Sequence, residues 1–116
     1  MAKVLLTGGT GFIGSVCIHT LINAGWDVHV LDLDTPKQES LSELKQKYTH
    51  QEGDICQIDA VEAAMQGCDA VVHLAAQISV PKSFEDPLKN HQINVLGTQN
   101  VLDVALRQGV GACILA

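Results

Sequence analysis

The sequence predicts an α/β domain, a doubly wound parallel sheet of about five strands in the order 3-2-1-4-5. Three observations carry this. Short apolar runs alternate with stretches of helical spacing along the chain, and strands alternating with helices imply a parallel sheet with right-handed crossovers. The first run, Lys3-Val4-Leu5-Leu6, passes straight into a glycine-rich stretch, Thr7-Gly8-Gly9-Thr10-Gly11-Phe12-Ile13-Gly14. The second run ends on a carboxylate, Asp32.

Residues 3–6 read as a buried strand, and residues 15–24 repeat their apolar positions at helical spacing. A strand, a glycine-rich turn and a helix in that order form the phosphate-binding corner of the Rossmann-type dinucleotide fold. Gly8 takes a tight turn that a Cβ would block. Gly11 lets the backbone approach a pyrophosphate, and Gly14 lets the helix pack against the strand. The helix N-terminus then offers unpaired N–H groups and the positive end of its dipole to the anion. The spacing is Gly-x-x-Gly-x-x-Gly rather than the commoner Gly-x-Gly-x-x-Gly. A lone glycine pattern is weak; here the flanking strand and helix supply the context it needs.

Gly25 ends the first helix as its C′ residue. Trp26-Asp27-Val28-His29-Val30-Leu31-Asp32 is the second strand, and Asp32 lies 18 residues beyond Gly14. A dinucleotide fold places a carboxylate there to accept hydrogen bonds from the adenosine ribose hydroxyls. The same carboxylate repels a 2′-phosphate, and no arginine follows in Leu33-Asp34-Thr35-Pro36-Lys37, so the pattern favours NAD over NADP. Residues 40–47 read as a short polar helix. Tyr48-Thr49-His50-Gln51-Glu52 is polar enough for an edge strand. Gly53-Asp54-Ile55 follows, and its spacing fits a plain turn about as well as a contact to adenine.

A helix is expected over 59–65 with Asp59 as N-cap, closed by Gly67. Asp69-Ala70-Val71-Val72-His73-Leu74-Ala75-Ala76 is apolar and β-branched, as a central strand should be. Small Ala75 and Ala76 at its carboxyl end leave room in the crevice where open α/β sheets bind ligands. A loop spans 77–85. Asp86-Pro87 reads as N-cap and N1 of a long helix reaching residue 108. Its apolar residues wrap most of the way round, so it needs burial on more than one side. Residues 112–116 form a fifth strand.

Composition bounds the partners. The 116 residues carry a net charge of −6, with 47% apolar and 17% charged residues. That suits one globular domain with a real core, and the absence of a basic stripe argues against nucleic acid. No apolar run is long enough to cross a membrane, and the start has no signal-peptide layout. Cys17, Cys56, Cys68 and Cys113 are scattered without a Cys-x-x-Cys pair. They read as free thiols of a cytoplasmic protein. The five histidines show no ligand spacing, so no metal is expected.

Taken together, the glycine stretch, Asp32, Gly53-Asp54-Ile55, His73-Leu74-Ala75-Ala76 and Asn94-Val95-Leu96-Gly97-Thr98 resemble the extended short-chain dehydrogenase/reductases. Within them the resemblance is to the NAD-dependent sugar-nucleotide epimerase/dehydratase branch, and most of all to the UDP-glucose 4-epimerases. It covers essentially the whole chain but only the first part of such an enzyme. It implies NAD as cofactor, with backbone contacts from Phe12 and Ile13 to the pyrophosphate and Asp32 on the adenosine ribose. It also implies Asp54 and Ile55 beside the adenine, and Leu74, Ala75, Ala76 and Ile78 along the path to the nicotinamide ribose. Asn94 would support the floor of the site. Family members often carry a lysine where this chain has Ile78.

In that family the fifth strand runs into a serine-rich segment with a catalytic serine, and a Tyr-x-x-x-Lys pair follows on the next helix. Neither occurs in these 116 residues, whose only tyrosine, Tyr48, has no lysine three or four places on. The chain is thus expected to be an incomplete dinucleotide-binding domain with no substrate domain and no catalytic residues of its own. It could serve as half of an enzyme or as a stand-alone binding module, or it could be a folded product without function. A bare fifth-strand edge and the apolar long helix lead to an expected homo-oligomer. A two-fold dimer through residues 86–108 or through that edge is the simplest form. The family's use of the equivalent helix for dimerisation implies the first of these.

Overall fold

Alternation along the first strand sets up the two layers. In β1 (Lys3–Thr7), Leu5 enters one apolar cluster while Val4 and Leu6 enter the other. Successive strand residues point to opposite faces, so a strand buried on both sides needs a helical layer on each. The computed structural model describes residues 2–9, 12–33, 48–75 and 85–115, apart from the side chains of Phe12 and Asn90. The expected helix at 40–47 and most of the expected loop at 77–85 lie outside those residues.

The described strands form one parallel sheet in the order β3-β2-β1-β4-β5, as the sequence predicts. They are β1, β2 (Asp27–Asp32), β3 (Tyr48–Glu52), β4 (Ala70–His73) and β5 (Ala112–Leu115). Helix α1 (Phe12–Asn23) covers one face, where Ile18 joins Val4, Leu6, Val28, Val30 and Tyr48. The other face carries α2 (Ile58–Met65) and the long helix, where Val61, Met65, Val101 and Val104 close over Leu5, Leu31 and Val71. β3 is an edge strand and β4 is paired on both sides, both as expected.

Strand β4 stops at His73, short of the expected residues 74–76, and three helices also differ from the sequence reading. Helix α1 begins at Phe12, so Gly14 lies inside its first turn rather than before it. Glycine's low helix propensity hides this, because the glycine is there for close packing. In helix α2, Gln57 occupies the N-cap position without a side-chain cap hydrogen bond, and Asp59 lies in the first turn. Asp59 then faces the positive end of the helix dipole instead of filling a cap. The long helix is interrupted: α3 (Pro87–His91), a π-helical turn (Gln92–Leu96) and α4 (Gly97–Arg107) follow one another without a break.

The caps obey local chemistry. Asp86 accepts a hydrogen bond from the Lys89 N–H at 3.0 Å, with Pro87 at N1 as predicted. Both α1 and α4 end in a Schellman pattern. Gly25 N–H donates to Ile22 O and Trp26 N–H to Leu21 O, while Gly109 N–H donates to Leu106 O and Val110 N–H to Ala105 O.

Candidate functional site

Parallel strands place all their carboxyl ends on one rim. Thr7, Asp32, Glu52, His73 and Leu115 share that rim by register. The chain winds outward from β1 in one direction to β2 and β3, and in the other to β4 and β5. β1 and β4 therefore flank the topological switch point, where open sheets of this kind bind ligands.

The turn after β1 is wedged into this point. Gly8 has φ +77°, and its N–H donates to Leu31 O at 3.0 Å, tying the turn to β2. A Cβ on Gly8 would lie 2.7 Å from Ala75 N and 2.9 Å from Ala75 Cα, so the turn also rests on the end of β4. A Cβ on Gly14 would lie 2.5 Å from Gly8 O and 2.6 Å from Gly9 Cα, so α1 abuts the turn itself rather than the strand below it. Gly9, which the spacing did not single out, is equally constrained: its Cβ would lie 2.6 Å from Val30 Cγ1. With α1 starting at Phe12, the N–H groups of Phe12, Ile13 and Gly14 are among the four that an α-helix leaves without an intrahelical acceptor. Ile13 projects its side chain into solvent at the same corner, 63% exposed. Gly11 lies outside the described residues.

Asp32 is half-buried at the end of β2. Its Oδ1 accepts from Leu33 N–H at 2.7 Å, and its carbonyl accepts from Gly53 N–H at 2.9 Å. This second bond brings the Gly53-Asp54-Ile55 turn beside it. Asp54 Oδ1 accepts from Cys56 N–H at 2.9 Å, an Asx-type turn. Ile55 is core: only 5% exposed, it packs on Gly97, where a Cβ would lie 2.5 Å from Ile55 Cδ1. Its carbonyl accepts from Asn100 Nδ2 at 2.9 Å. The signal for Ile55 was the glycine in Asn94-Val95-Leu96-Gly97-Thr98, whose missing side chain makes room for it.

On the other side of the switch point, Leu74 N–H donates to both Thr7 O at 3.0 Å and Thr7 Oγ1 at 3.1 Å. Ala75 N–H donates to Thr7 Oγ1 at 3.2 Å. Thr7 Oγ1 also lies 2.6 Å from His73 Nδ1, and His73 Nε2 lies 2.9 Å from Thr98 Oγ1. Thr98 Oγ1 donates its one proton to Asn94 O at 2.9 Å. Asn94 itself is half-buried in the π-helical turn. Ala76 and Ile78 lie outside the described residues. The only tyrosine, Tyr48, is buried at the amino end of β3, the opposite rim, where burial raises its phenol pKa. Among the described residues no group of three or more His, Cys, Asp or Glu is placed to hold a metal ion. Cys17, Cys56, Cys68 and Cys113 are all free, and burial pushes the thiols of Cys56, Cys68 and Cys113 up. No helix among the described residues is long and apolar enough to cross a membrane.

The family model described as the NAD dependent epimerase/dehydratase family matches residues 4–116. The chain belongs to this family. It is 35% identical to the putative UDP-glucose 4-epimerase of Methanocaldococcus jannaschii, covering 97% of this chain and 37% of that one. It is 38% identical to the dTDP-glucose 4,6-dehydratase of Streptomyces griseus, covering 96% of this chain and 36% of that one. Among solved structures, the UDP-glucose 4-epimerase of Thermus thermophilus in complex with NAD superposes with a TM-score of 0.84 at 37% identity, over 96% of this chain and 36% of that chain. The chain thus spans about a third of the length of these family members, and both epimerases and dehydratases are among them.

Buried His73 and half-buried His29 give this family member an acid response. Burial lowers the pKa of His73 from its ordinary 6.5. Burial also lowers that of His29, with the Lys3 ammonium adding to it. Below about pH 6.5 the unfolded chain takes up protons that these folded side chains refuse. Their contribution is therefore complete above that value and shrinks as pH falls toward the lowered folded pKa. The denaturant midpoint is expected to drop as pH is lowered from about 7 to 5, with buried His73 contributing more than half-buried His29. Urea melts across this range check it; a flat or rising midpoint contradicts it.

Proposed function

We propose that this chain is the NAD-holding part of a sugar-nucleotide epimerase or dehydratase, similar to the UDP-glucose 4-epimerases. One observation carries the reading. At the switch point, the turn after β1 is pressed so closely onto the end of β4 that Gly8 has no room for a Cβ. The first-turn N–H groups of α1 stand above it. This is a cradle built for backbone contact with a pyrophosphate. Gly8, Gly11, Gly14 and the N–H groups of Phe12 and Ile13 would hold that group. Asp32 would accept from the adenosine ribose hydroxyls and disfavour a 2′-phosphate. The Asp54 turn would border the adenine, with Ile55 fixing that turn from below through its buried side chain. Leu74, Ala75, Ala76 and Ile78 would line the second half of the crevice, with Asn94 at its floor. When bound, NAD supplies hydride transfer; these residues bind and orient it.

No Tyr-x-x-x-Lys pair occurs in the 116 residues, and Tyr48 sits on the wrong rim with its proton held. Both facts support a binding role without a general base of its own, since a sugar hydroxyl loses hydride only as its proton leaves. Calorimetric titration tests this. Saturable NAD binding, weaker NADP binding and no sugar-nucleotide epimerisation are expected of the purified chain; absence of NAD binding at millimolar concentration overturns the reading.

A homo-oligomer in the cytoplasm belongs to the same proposal. Leu88, Val95, Leu96, Leu102 and Leu106 are exposed along the long helix, Leu106 at 82%, and every residue of β5 is exposed. Apolar exposure along this helix supports self-association there. Light scattering at high micromolar concentration is expected to give twice the chain mass, falling toward one with Leu106→Glu and Leu102→Glu. A monomeric wild type contradicts it.

A further inference from the structure

The hydrogen-bond chain across the switch point has only one consistent direction. Thr98 has a single hydroxyl proton, and Asn94 O, a carbonyl, can only accept it. Thr98 Oγ1 must then accept from His73, which fixes the proton of neutral His73 on Nε2. Nδ1 is left as an acceptor, and Thr7 Oγ1–H donates to it. Thr7 Oγ1 in turn accepts from Leu74 and Ala75 N–H. Every hydrogen in the series is donated, Leu74 N–H being shared between Thr7 O and Thr7 Oγ1. The elements packed on His73 are β1, β5 and α4. They face it with Thr7 and Leu115 at its register positions and with Thr98, none of them ionisable. Burial lowers its pKa.

This chain joins the two halves of the site. Thr7 immediately precedes Gly8 of the dinucleotide turn. Asn94 lies in the π-helical turn, an irregularity often retained at functional sites. A dinucleotide laid across a switch point places its adenosine half over β1, β2 and β3, and its second half over β4 and β5.

We propose that Thr7, His73 and Thr98 form a directional relay whose role is to position the Asn94 turn for the second, nicotinamide-bearing half of the dinucleotide. His73 is a positioning residue: it acts through Thr98 and never touches the ligand. The inference rests on the NAD reading for its ligand but not for its geometry, and the two can fail separately.

The test compares NAD with ADP, which lacks the nicotinamide half. Thr98→Val removes the acceptor for His73 Nε2–H. It is expected to weaken NAD about tenfold and leave ADP within about twofold, with Thr98→Ser restoring NAD. Equal losses for NAD and ADP, or no loss for NAD, overturn the proposal. A ¹⁵N spectrum of the imidazoles gives an independent reading. His73 is expected as the Nε2-protonated tautomer in the wild type and as a tautomer mixture in Thr98→Val, with faster amide exchange over 92–97. A wild type with Nδ1 protonated, or an unchanged tautomer and exchange in the variant, overturns it. A wild type that binds neither NAD nor ADP, while the tautomer and exchange results hold, sinks the NAD reading alone.

Discussion

Replacing Gly8 by alanine is expected to produce a large loss of stability, because a strained backbone and a backbone clash fall on one residue. The new methyl group meets backbone, Ala75 N at 2.7 Å and Ala75 Cα at 2.9 Å, at a φ of +77°. Neither neighbour can retreat cheaply: Ala75 N–H is bonded to Thr7 Oγ1 and Gly8 N–H to Leu31 O. A left-handed conformation costs a residue with a Cβ about 1–2 kcal/mol, and the clash adds to it. The total is about 3 kcal/mol or more, at the upper end for a point substitution, and corresponds to a fall in Tm of more than about 10 °C. Gly25→Ala separates the two contributions. Gly25 also has positive φ, +91°, but nothing lies within 4 Å of its Cβ position. It is expected to lose only the conformational part. Thermal melts of both variants check this, and equal losses would mean that the turn does not press on β4.

The second large effect falls on affinity rather than on stability. Asp32→Ala is expected to weaken NAD about 10- to 100-fold, the value of hydrogen bonds to a charged acceptor in a binding site. Asp32→Asn keeps an oxygen for Leu33 N–H, which Asp32 Oδ1 now receives at 2.7 Å, but removes the charge. It is expected to weaken NAD less than alanine does and to narrow the gap between NAD and NADP, because the repulsion of a 2′-phosphate goes with the charge. Titration of both variants with both dinucleotides measures this. An unchanged NAD affinity in Asp32→Ala would remove Asp32 from the site.

Much of the fold was legible because its determinants are local. Apolar runs such as Val71-Val72, capping residues such as Asp86-Pro87 and closing glycines such as Gly25 each act within a few residues. The strand order follows from the alternation of elements, and the sheet has that order. What the sequence hid is long-range. Gly9 is small because of Val30, and Gly97 because of Ile55. Thr7 and His73 are 66 positions apart, and His73 and Thr98 are 25 apart. No periodicity encodes such pairs, although a threonine and a histidine at the carboxyl ends of two apolar strands were a usable hint. The π-helical turn was invisible for a similar reason. Its residues read as an ordinary helix, and the close seat of Gly97 on Ile55 belongs to tertiary packing rather than to local propensity.

The location of the site on the carboxyl rim is tested most directly by following backbone amide shifts during an NAD titration. The expected shifts fall on Gly8, Ile13, Gly14, Asp32, Asp54, Ala75 and Asn94, residues of the switch point and its two flanks. The amino rim, with Lys3, Tyr48 and Asp69, should stay still. Shifts centred on that opposite rim, or none from a folded sample at saturating NAD, would contradict a dinucleotide site at the β1–β4 switch point.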